Sequence, residues 1–464
     1  MIPVVTPEEM GAIDAAAPEP VDVLIGRAGA AVAQAAIDLL GGTYGRRVVI
    51  VAGKGNNGND GRDAAARLER RGVRVQVIPA DLAPAALPPA DLVIDAAYGT
   101  GFRGTYEAPD PGDAPVLAVD VPSGVDGLTG VASGRPLRAV RTVTFAALKP
   151  GLLFHDGLVL AGDVHTADIG LDVSSATVHQ IEASDVAAWL PDPPVDAHKW
   201  QRAMWCIAGS PGMTGAAHLA ARAAQRAGAG YVRLSSPGVV DDPLRPTEAV
   251  GHALPREVWT PDVGHDAHRF GAFVIGPGLG RSEEVATGVR ALLRELSQPV
   301  VLDGDGLSTL GSRAIHFLTS RRDPLILTPH DGEFERLADH PPGPDRIASA
   351  RLLAAETGAV VLLKGHTTVV AEPGGEVLLS AVGDSRLATA GTGDVLSGVI
   401  GALAAAGVDP FHAAAAGAFI HGLAGTLGWR RGLVAGDVVD RLPEAIALIA
   451  SPDDRPPNRR GTRC

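Results

Sequence analysis

The sequence predicts an α/β protein of two domains, each built around a largely parallel sheet. Short apolar runs alternate with longer amphipathic stretches along most of the chain, the pattern of βαβ units. The alternation breaks at Trp189 to Trp200 (WLPDPPVDAHKW), where prolines disfavour helix and remove strand donors. The length, 464 residues, suits two to three domains. The expected boundaries are 1–190 and 195–450, with a Pro-, Arg- and Asp-rich tail at 451–464 expected to be disordered.

Thr6-Pro7-Glu8-Glu9 opens the first helix, with Thr6 as N-cap, Pro7 in the first turn and Glu9 placed for a capping box. Arg47 to Ala52 (RVVIVA) reads as a buried strand and 60–71 as the helix after it. Further strands are expected at 73–78, 92–95, 116–120 and 142–145. In the second half, strands are expected at 203–208, 231–235, 273–275, 300–303, 325–327 and 360–363. Helices are expected there at 216–227, 283–296, 347–357, 395–405 and 411–427.

Composition narrows the function. Hydrophobic residues make up 46% and charged residues 20%, which supports sizeable cores and argues against disorder. The net charge of −13 argues against a broad nucleic-acid-binding face or an anionic membrane partner. A small anion is still acceptable, because local backbone amides hold it whatever the global charge. Cys206 and Cys464 are too few for a disulfide framework or a cysteine zinc site. The start, MIPVVTPEEM, lacks the order of a secretory signal. Apolar stretches meet Gly, Pro or charge within about 18 residues, so no membrane span is expected. The expectation is a cytoplasmic homo-oligomer acting on small molecules.

Three strand ends in the first half carry chemistry. Gly53-Lys54-Gly55-Asn56-Asn57-Gly58-Asn59-Asp60-Gly61 follows one strand and leads into a helix. Its glycines allow positive φ and close backbone approach, and a helix start offers free amides to phosphate. The spacing fits neither a dinucleotide fingerprint nor a P-loop. The bland alternative is an ordinary turn between strand and helix. Asp95 closes a second strand and is followed by a Gly-rich segment through Thr105; Asp120 closes a third, followed by Val121-Pro122-Ser123-Gly124. In an open parallel sheet such ends converge on one crevice. Either aspartate alone is more often a turn former or cap.

NNGND at 56–60, DAAYGTGFRGT at 95–105, VDVPSG at 119–124 and FAALKPG at 145–151 resemble the NAD(P)HX epimerase domain, also seen in apolipoprotein-binding protein homologues. The resemblance implies a Rossmann-like three-layer domain with a parallel sheet. It implies that Asn56, Asn57, Gly58, Asn59 and Asp60 bind a hydrated dinucleotide. Gly99, Thr100, Gly101, Phe102, Arg103, Gly104 and Thr105 would cradle its phosphates, and Asp120 would contact the hydrated nicotinamide as a catalytic group. Asn57, Asp95 and Ser123 would hold K⁺, a cation suited to hard oxygen ligands. The family usually reads Asn-Asn-Gly-Gly-Asp-Gly. Here Asn59 replaces the second Gly, and Asn tolerates left-handed backbone better than most residues.

The second half carries the most specific motif, Ala388-Thr389-Ala390-Gly391-Thr392-Gly393-Asp394, running into an apolar helix. Its amides suit an anion hole, with Asp394 in the first turn. The plain alternative is a Gly-rich helix start with a dipole-matched Asp. The motif resembles ribokinase-like small-molecule kinases. The segments at 209–216, 276–280, 328–333 (TPHDGE) and 364–368 (KGHTT) resemble, in order, the ADP-dependent NAD(P)HX dehydratase family. That resemblance implies a ribokinase-like α/β domain. Lys364, Gly365, His366, Thr367, Thr368 and Gly393 would bind ADP, with Mg²⁺ as cofactor. Ala216, Gly278, His330 and Asp394 would contact the hydrated nicotinamide nucleotide, Asp394 activating its hydroxyl. Alone, His330 is more often a capping histidine and Lys364 a solvated strand-end lysine.

Together the two resemblances imply repair of hydrated NADH and NADPH, by epimerising the R and S hydrates and dehydrating the S form with ADP. The alternative is a ribokinase-like vitamin kinase fused to a nucleotide-binding module. A scaffold role for the first domain is a third reading, against which Asp95, Asp120 and Ser123 argue.

Overall fold

The computed structural model describes residues 1–192, 194–311 and 314–450. The expected disordered tail and Cys464 lie outside the described residues. The chain divides into two compact units, Ile2–His179 and Gln180 onward, Met1 grouping with the latter.

In the first unit, parallel strands lie in the order Arg74–Pro79, Arg47–Ala52, Leu92–Ala96, Val116–Val119, Arg141–Phe145, Asp163–Ala167. The central strands are buried on both faces, so they read as continuous apolar runs. Helices Val21–Leu40 and Asn56–Arg70 pack together on one face. Irregular segments carrying Ala83, Leu87, Ala90, Ala114 and Leu137 cover the other. The order reverses between Arg47–Ala52 and Leu92–Ala96. Chain leaving their carboxyl ends therefore parts to opposite sides and opens a crevice there.

The capping box at Thr6 and Glu9 forms, with Glu9 N donating to Thr6 Oγ1 at 3.2 Å and Thr6 N to Glu9 Oε2 at 2.7 Å. One described helix, Val21–Leu40, is long and apolar enough by length and composition to cross a membrane. This departs from the expectation that apolar stretches stop short, because Gly26, Arg27 and Gly29 interrupt the composition without ending the helix. Its inward stripe, Ala28, Val32, Ala36 and Leu40, joins the core over the sheet.

In the second unit, parallel strands run Val360–Leu363, Leu325–Leu327, Val300–Leu302, Ala272–Ile275, Ala203–Ile207, Tyr231–Ser235, Val250–Gly251. The reversal falls between Ala203–Ile207 and Ala272–Ile275. An antiparallel hairpin, Thr368–Ala371 with Val377–Ser380, extends the other side. Thr214–Arg226, Thr392–Ala405, Pro410–Leu427 and Ala435–Ala450 pack into one apolar core on the sheet. Ile181 and Val186 join that core too, so helix Ala183–Trp189 is built into this unit.

Candidate active sites

A cavity of about 750 Å³ opens at the first unit's switch point. Its lining includes Asn56, Asn57, Asp60, Gly99, Thr100, Gly101, Phe102, Arg103 and Asp120, with Met10, Leu24, Ile25, Ala28 and Ile169 as apolar lining. The helix begins at Asn56, so NNGND is its first turn and not a loop before it. None of Gly53, Gly55, Gly58 or Gly61 has positive φ. Close approach alone explains two of them: a Cβ on Gly53 would strike the Ala97 carbonyl oxygen, and one on Gly58 the Gly53 carbonyl oxygen. Asn59 is helical as well, so the departure from the family pattern asks nothing of left-handed backbone. Gly104 and Thr105 are not among the residues lining the cavity; the chain turns at Gly104 (φ 104°) toward the pairing of Tyr106 with Gly134.

Asp120 sits just past its strand with φ 66°, a left-handed backbone on a non-glycine residue. That conformation aims its carboxylate into the cavity wall. Thr100 N donates to Oδ2 at 2.8 Å and Thr144 Oγ1 to Oδ1 at 3.1 Å. Lys149 Nζ lies 2.9 Å from Oδ1 and is itself 1% exposed. The same ammonium donates to the carbonyls of Phe145 (2.8 Å) and Ala147 (3.2 Å), folding the FAALKPG turn around itself. Asp60 faces the same cavity without such a partner. Burial first, then the charges of Asp120, Asp63 and Asp14, push its pKa up to about 8.

Asp95 and Ser123 lie behind the wall. Ser123 Oγ donates to Asp95 Oδ1 at 2.6 Å and Ser123 N to Oδ2 at 2.9 Å. Burial pushes the Asp95 carboxyl up against the effect of these bonds. The Asn57 side-chain oxygen and nitrogen are buried with no hydrogen-bond partner.

The second site lies at the corresponding ends of the other sheet. Gly209 N donates to Pro277 O at 2.7 Å and Ser210 Oγ to Gly278 O at 2.9 Å, joining two loops. Gly278 has φ 64°, and a Cβ there would press on Ala216 at 3.0 Å. Helix Thr392–Ala405 starts from Gly391 at φ 91°, with Asp394 in its first turn. Burial, then Asp303, raise the Asp394 pKa to about 7, against the pull of Lys364. Lys364 Nζ reaches Asp303 Oδ1 at 2.6 Å. Burial alone would lower that ammonium, but Asp303 and Glu333 outweigh it and its pKa stands raised. KGHTT forms the turn that joins Val360–Leu363 to its antiparallel partner Thr368–Ala371, and Thr368 Oγ1 closes it on Gly365 O at 3.4 Å. Arg346 braces the turn, bonding Lys364 O at 2.8 Å while paired with Asp331.

His330 is the N-cap of helix Asp331–Ala338, its Nδ1 accepting from Gly332 N at 3.0 Å and Glu333 N at 3.3 Å. Capping leaves the proton on Nε2, which lies 3.5 Å from Oε1 of buried Glu333. Buried His421 stands behind the anion loop. Burial and then Lys364 lower its pKa to about 4, and its Nε2 has no hydrogen-bond partner.

Residues 204–446 match the family described as NAD(P)H-hydrate dehydratase, and residues 21–84 and 78–151 match the YjeF-related protein N-terminus. The bifunctional NAD(P)H-hydrate repair enzyme of Moorella thermoacetica is 36% identical, over 95% of this chain and 96% of its own. Its counterpart in Mycobacterium leprae is 39% identical, over 83% of this chain and 84% of its own. This chain belongs to the bifunctional NAD(P)H-hydrate repair enzyme family. A fused vitamin kinase, the other expectation, leaves a match running through both halves unexplained. A ribokinase-like superfamily protein from Enterococcus faecalis V583 shares the second unit's fold, with TM-score 0.53 at 22% identity, over 60% of this chain and 98% of its own.

Within this repair-enzyme fold, sequence reasoning passed over Lys149 and Asp303. Lys149 stands in FAALKPG, where nothing local singles it out from the family motif. Asp303 ends the strand VVLD as Asp95 and Asp120 end theirs, so the same signal marks it.

Proposed function

We propose that this chain interconverts the R and S hydrates of NADH and NADPH in its first unit and dehydrates the S hydrate in its second, using ADP. The observation that carries the reading is shared by both switch points. Each sets an Asp–Lys ion pair beside a second carboxyl whose pKa stands near neutrality, the condition for acid–base work at pH 7. One activity is assigned to each unit, the division falling at Gln180 and not near 190 because Ile181 and Val186 pack into the second core; cytoplasmic location and a homo-oligomer are carried as part of this reading.

In the first site, protonated Asp60 gives its proton to the ring hydroxyl, and the ring-nitrogen lone pair expels water. Water then adds to the other face of the resulting iminium, with the Asp120 carboxylate taking its proton. The Gly99–Arg103 turn and the first-turn amides from Asn56 hold the phosphates. The buried, unpartnered side-chain oxygen of Asn57, with the oxygens of Asp95 and Ser123, is the donor chemistry a hard cation such as K⁺ would take, and when bound it would offset the Asp95 charge.

In the second site, Asp394 takes the proton of the ring hydroxyl, whose oxygen attacks the β-phosphorus of ADP and releases AMP. The ring nitrogen then expels phosphate, and the resulting iminium loses a proton from the adjacent ring carbon to the departing phosphate, which leaves the reduced nicotinamide. Ala216, Gly278 and His330 border the ring side; Lys364–Thr368 and Gly393 border the nucleotide. Mg²⁺ accompanying the nucleotide would offset phosphate charge. The test is recovery of reduced-nicotinamide absorbance from each purified epimer with ADP and Mg²⁺. S hydrate is expected to recover directly, and R hydrate only through the first unit. No recovery from S hydrate overturns the proposal.

A further inference from the structure

The second site depends on a buried carboxylate that none of the motifs includes. Asp303 is 2% exposed and accepts side-chain hydrogen bonds from three other elements. Lys364 Nζ, ending Val360–Leu363, binds Oδ1 at 2.6 Å. Thr328 Oγ1, ending Leu325–Leu327, binds the same oxygen at 2.8 Å. Ser397 Oγ, in the helix after the anion loop, binds Oδ2 at 2.6 Å. A Cβ on Gly393 would lie 3.4 Å from Lys364 Nζ and 3.9 Å from Asp303 Oδ2, so the anion loop rests directly on this pair.

A buried charge is tolerated only when paired and hydrogen-bonded, and Asp303 meets both conditions. An arrangement of this kind fixes geometry: each partner is tied to one point, and that point lies under the loop. We infer that Asp303 is the positioning residue of the dehydration site, holding the Lys364 ammonium against the anion loop and registering the helix that carries Asp394. The inference rests on the dehydratase reading of this site.

Two effects follow for Asp394. Through Ser397, one turn further along the helix, Asp303 sets where the Asp394 carboxylate points. Through its charge it opposes ionisation of Asp394, together with Asp305 and Glu333, while Lys364 favours it. The thiol of Cys206, pushed up by burial and then by Asp394, faces the same group from the neighbouring strand and stays neutral. Removing the Asp303 charge subtracts a repulsion and leaves the Lys364 attraction uncompensated. Both changes lower the Asp394 pKa.

The experiment is Asp303→Asn in the full chain, with dehydration of S hydrate followed from pH 5 to 9. The expected result is a fall in kcat of about tenfold or more, with the acid limb moved down by about one pH unit. Epimerisation on the same preparation should stay at the wild-type rate. A purely structural role would lower activity uniformly with pH, and an unmoved limb overturns the inference. So does an unmoved limb accompanied by a large rise in Mg²⁺ requirement, which marks a metal ligand. If the variant does not fold, Ser397→Ala decides, because it removes only the tie to the helix. A several-fold fall in kcat with the limb unmoved supports the inference, and wild-type kcat overturns it. Wild-type protein unable to dehydrate S hydrate overturns the functional reading and this inference together. An active wild type beside an unchanged Asp303→Asn overturns the inference alone.

Discussion

The two sites use one device in opposite ways. In the first unit the lysine-paired carboxylate, Asp120, is the group that lines the cavity, and its neighbour Asp60 is held up by burial near pH 8. In the second the paired carboxylate, Asp303, is buried behind the loop, and the unpaired Asp394 stands in front with a pKa near 7. The lesson is that an Asp–Lys pair at a strand end does not by itself mark the reacting group. Which carboxyl faces the ligand decides its role, and under the proposed function the paired one is reactant in one unit and support in the other.

Substitutions can break that contrast, and the largest effect is expected at Asp394. Asp394→Asn removes the base while keeping shape, so dehydration should fall by a factor of ~10² to 10⁴. Epimerisation on the same preparation should persist. Near wild-type dehydration would make Asp394 a helix-start residue only. Lys149→Met should leave Asp120 nearly buried without its countercharge, a change that costs ~3–5 kcal/mol for buried pairs. Thermal unfolding of the first unit should drop accordingly and epimerisation should be lost, while dehydration of pure S hydrate continues. Equal loss of both activities would contradict the separation of the sites.

A truncation sharpens the boundary between them. A fragment starting near Asp196 omits Ile181, Val186 and helix Ala183–Trp189, which pack into the second unit's core. Losing a buried aliphatic side chain costs ~2–5 kcal/mol. The fragment starting at Gln180 should therefore unfold at a clearly higher temperature than the one starting at Asp196. Equal melting curves would show that helix to be dispensable.

Smaller effects probe Asp60 and Asn59. The folded pKa of Asp60 is raised above the ordinary value of 3.8, so its neutral form stabilises the fold at low pH. That contribution is lost as pH rises from about 4 through about 8. Asp60→Asn should thus raise Tm more at pH 9 than at pH 5, by roughly 2–4 °C for each kcal/mol recovered. A pH-independent change would contradict the raised pKa. Asn59→Gly should leave epimerisation unchanged and cost only a few tenths of a kcal/mol, because the position is plain helix. A large gain in activity would show that the family glycine does matter.

Much of this was legible in the chain. Strands such as Arg47–Ala52, Tyr231–Ser235 and Leu325–Leu327 declare themselves because a parallel sheet buries both faces. Asp120 and Asp394 were legible because each stands where a strand or anion loop meets a Gly-rich segment. The sequence was silent where pairing is long-range. Nothing near Lys149 names Asp120, and nothing near Asp303 names Lys364, because such pairs form only once separate strand ends are side by side. The helices begin at Asn56 and Thr392, earlier than their sequences suggest, because glycine- and asparagine-rich first turns look like loops until the apolar face begins.

The left-handed backbone at Asp120 has a consequence beyond its aim into the cavity. A non-glycine residue in that region carries roughly 1–2 kcal/mol of strain, which glycine would not. Glycine at position 120 would therefore relax the turn and remove the carboxylate in one step. Relief of strain does not favour the exchange, because glycine would leave buried Lys149 without its countercharge at a cost of ~3–5 kcal/mol; the lysine holds a strained aspartate in place.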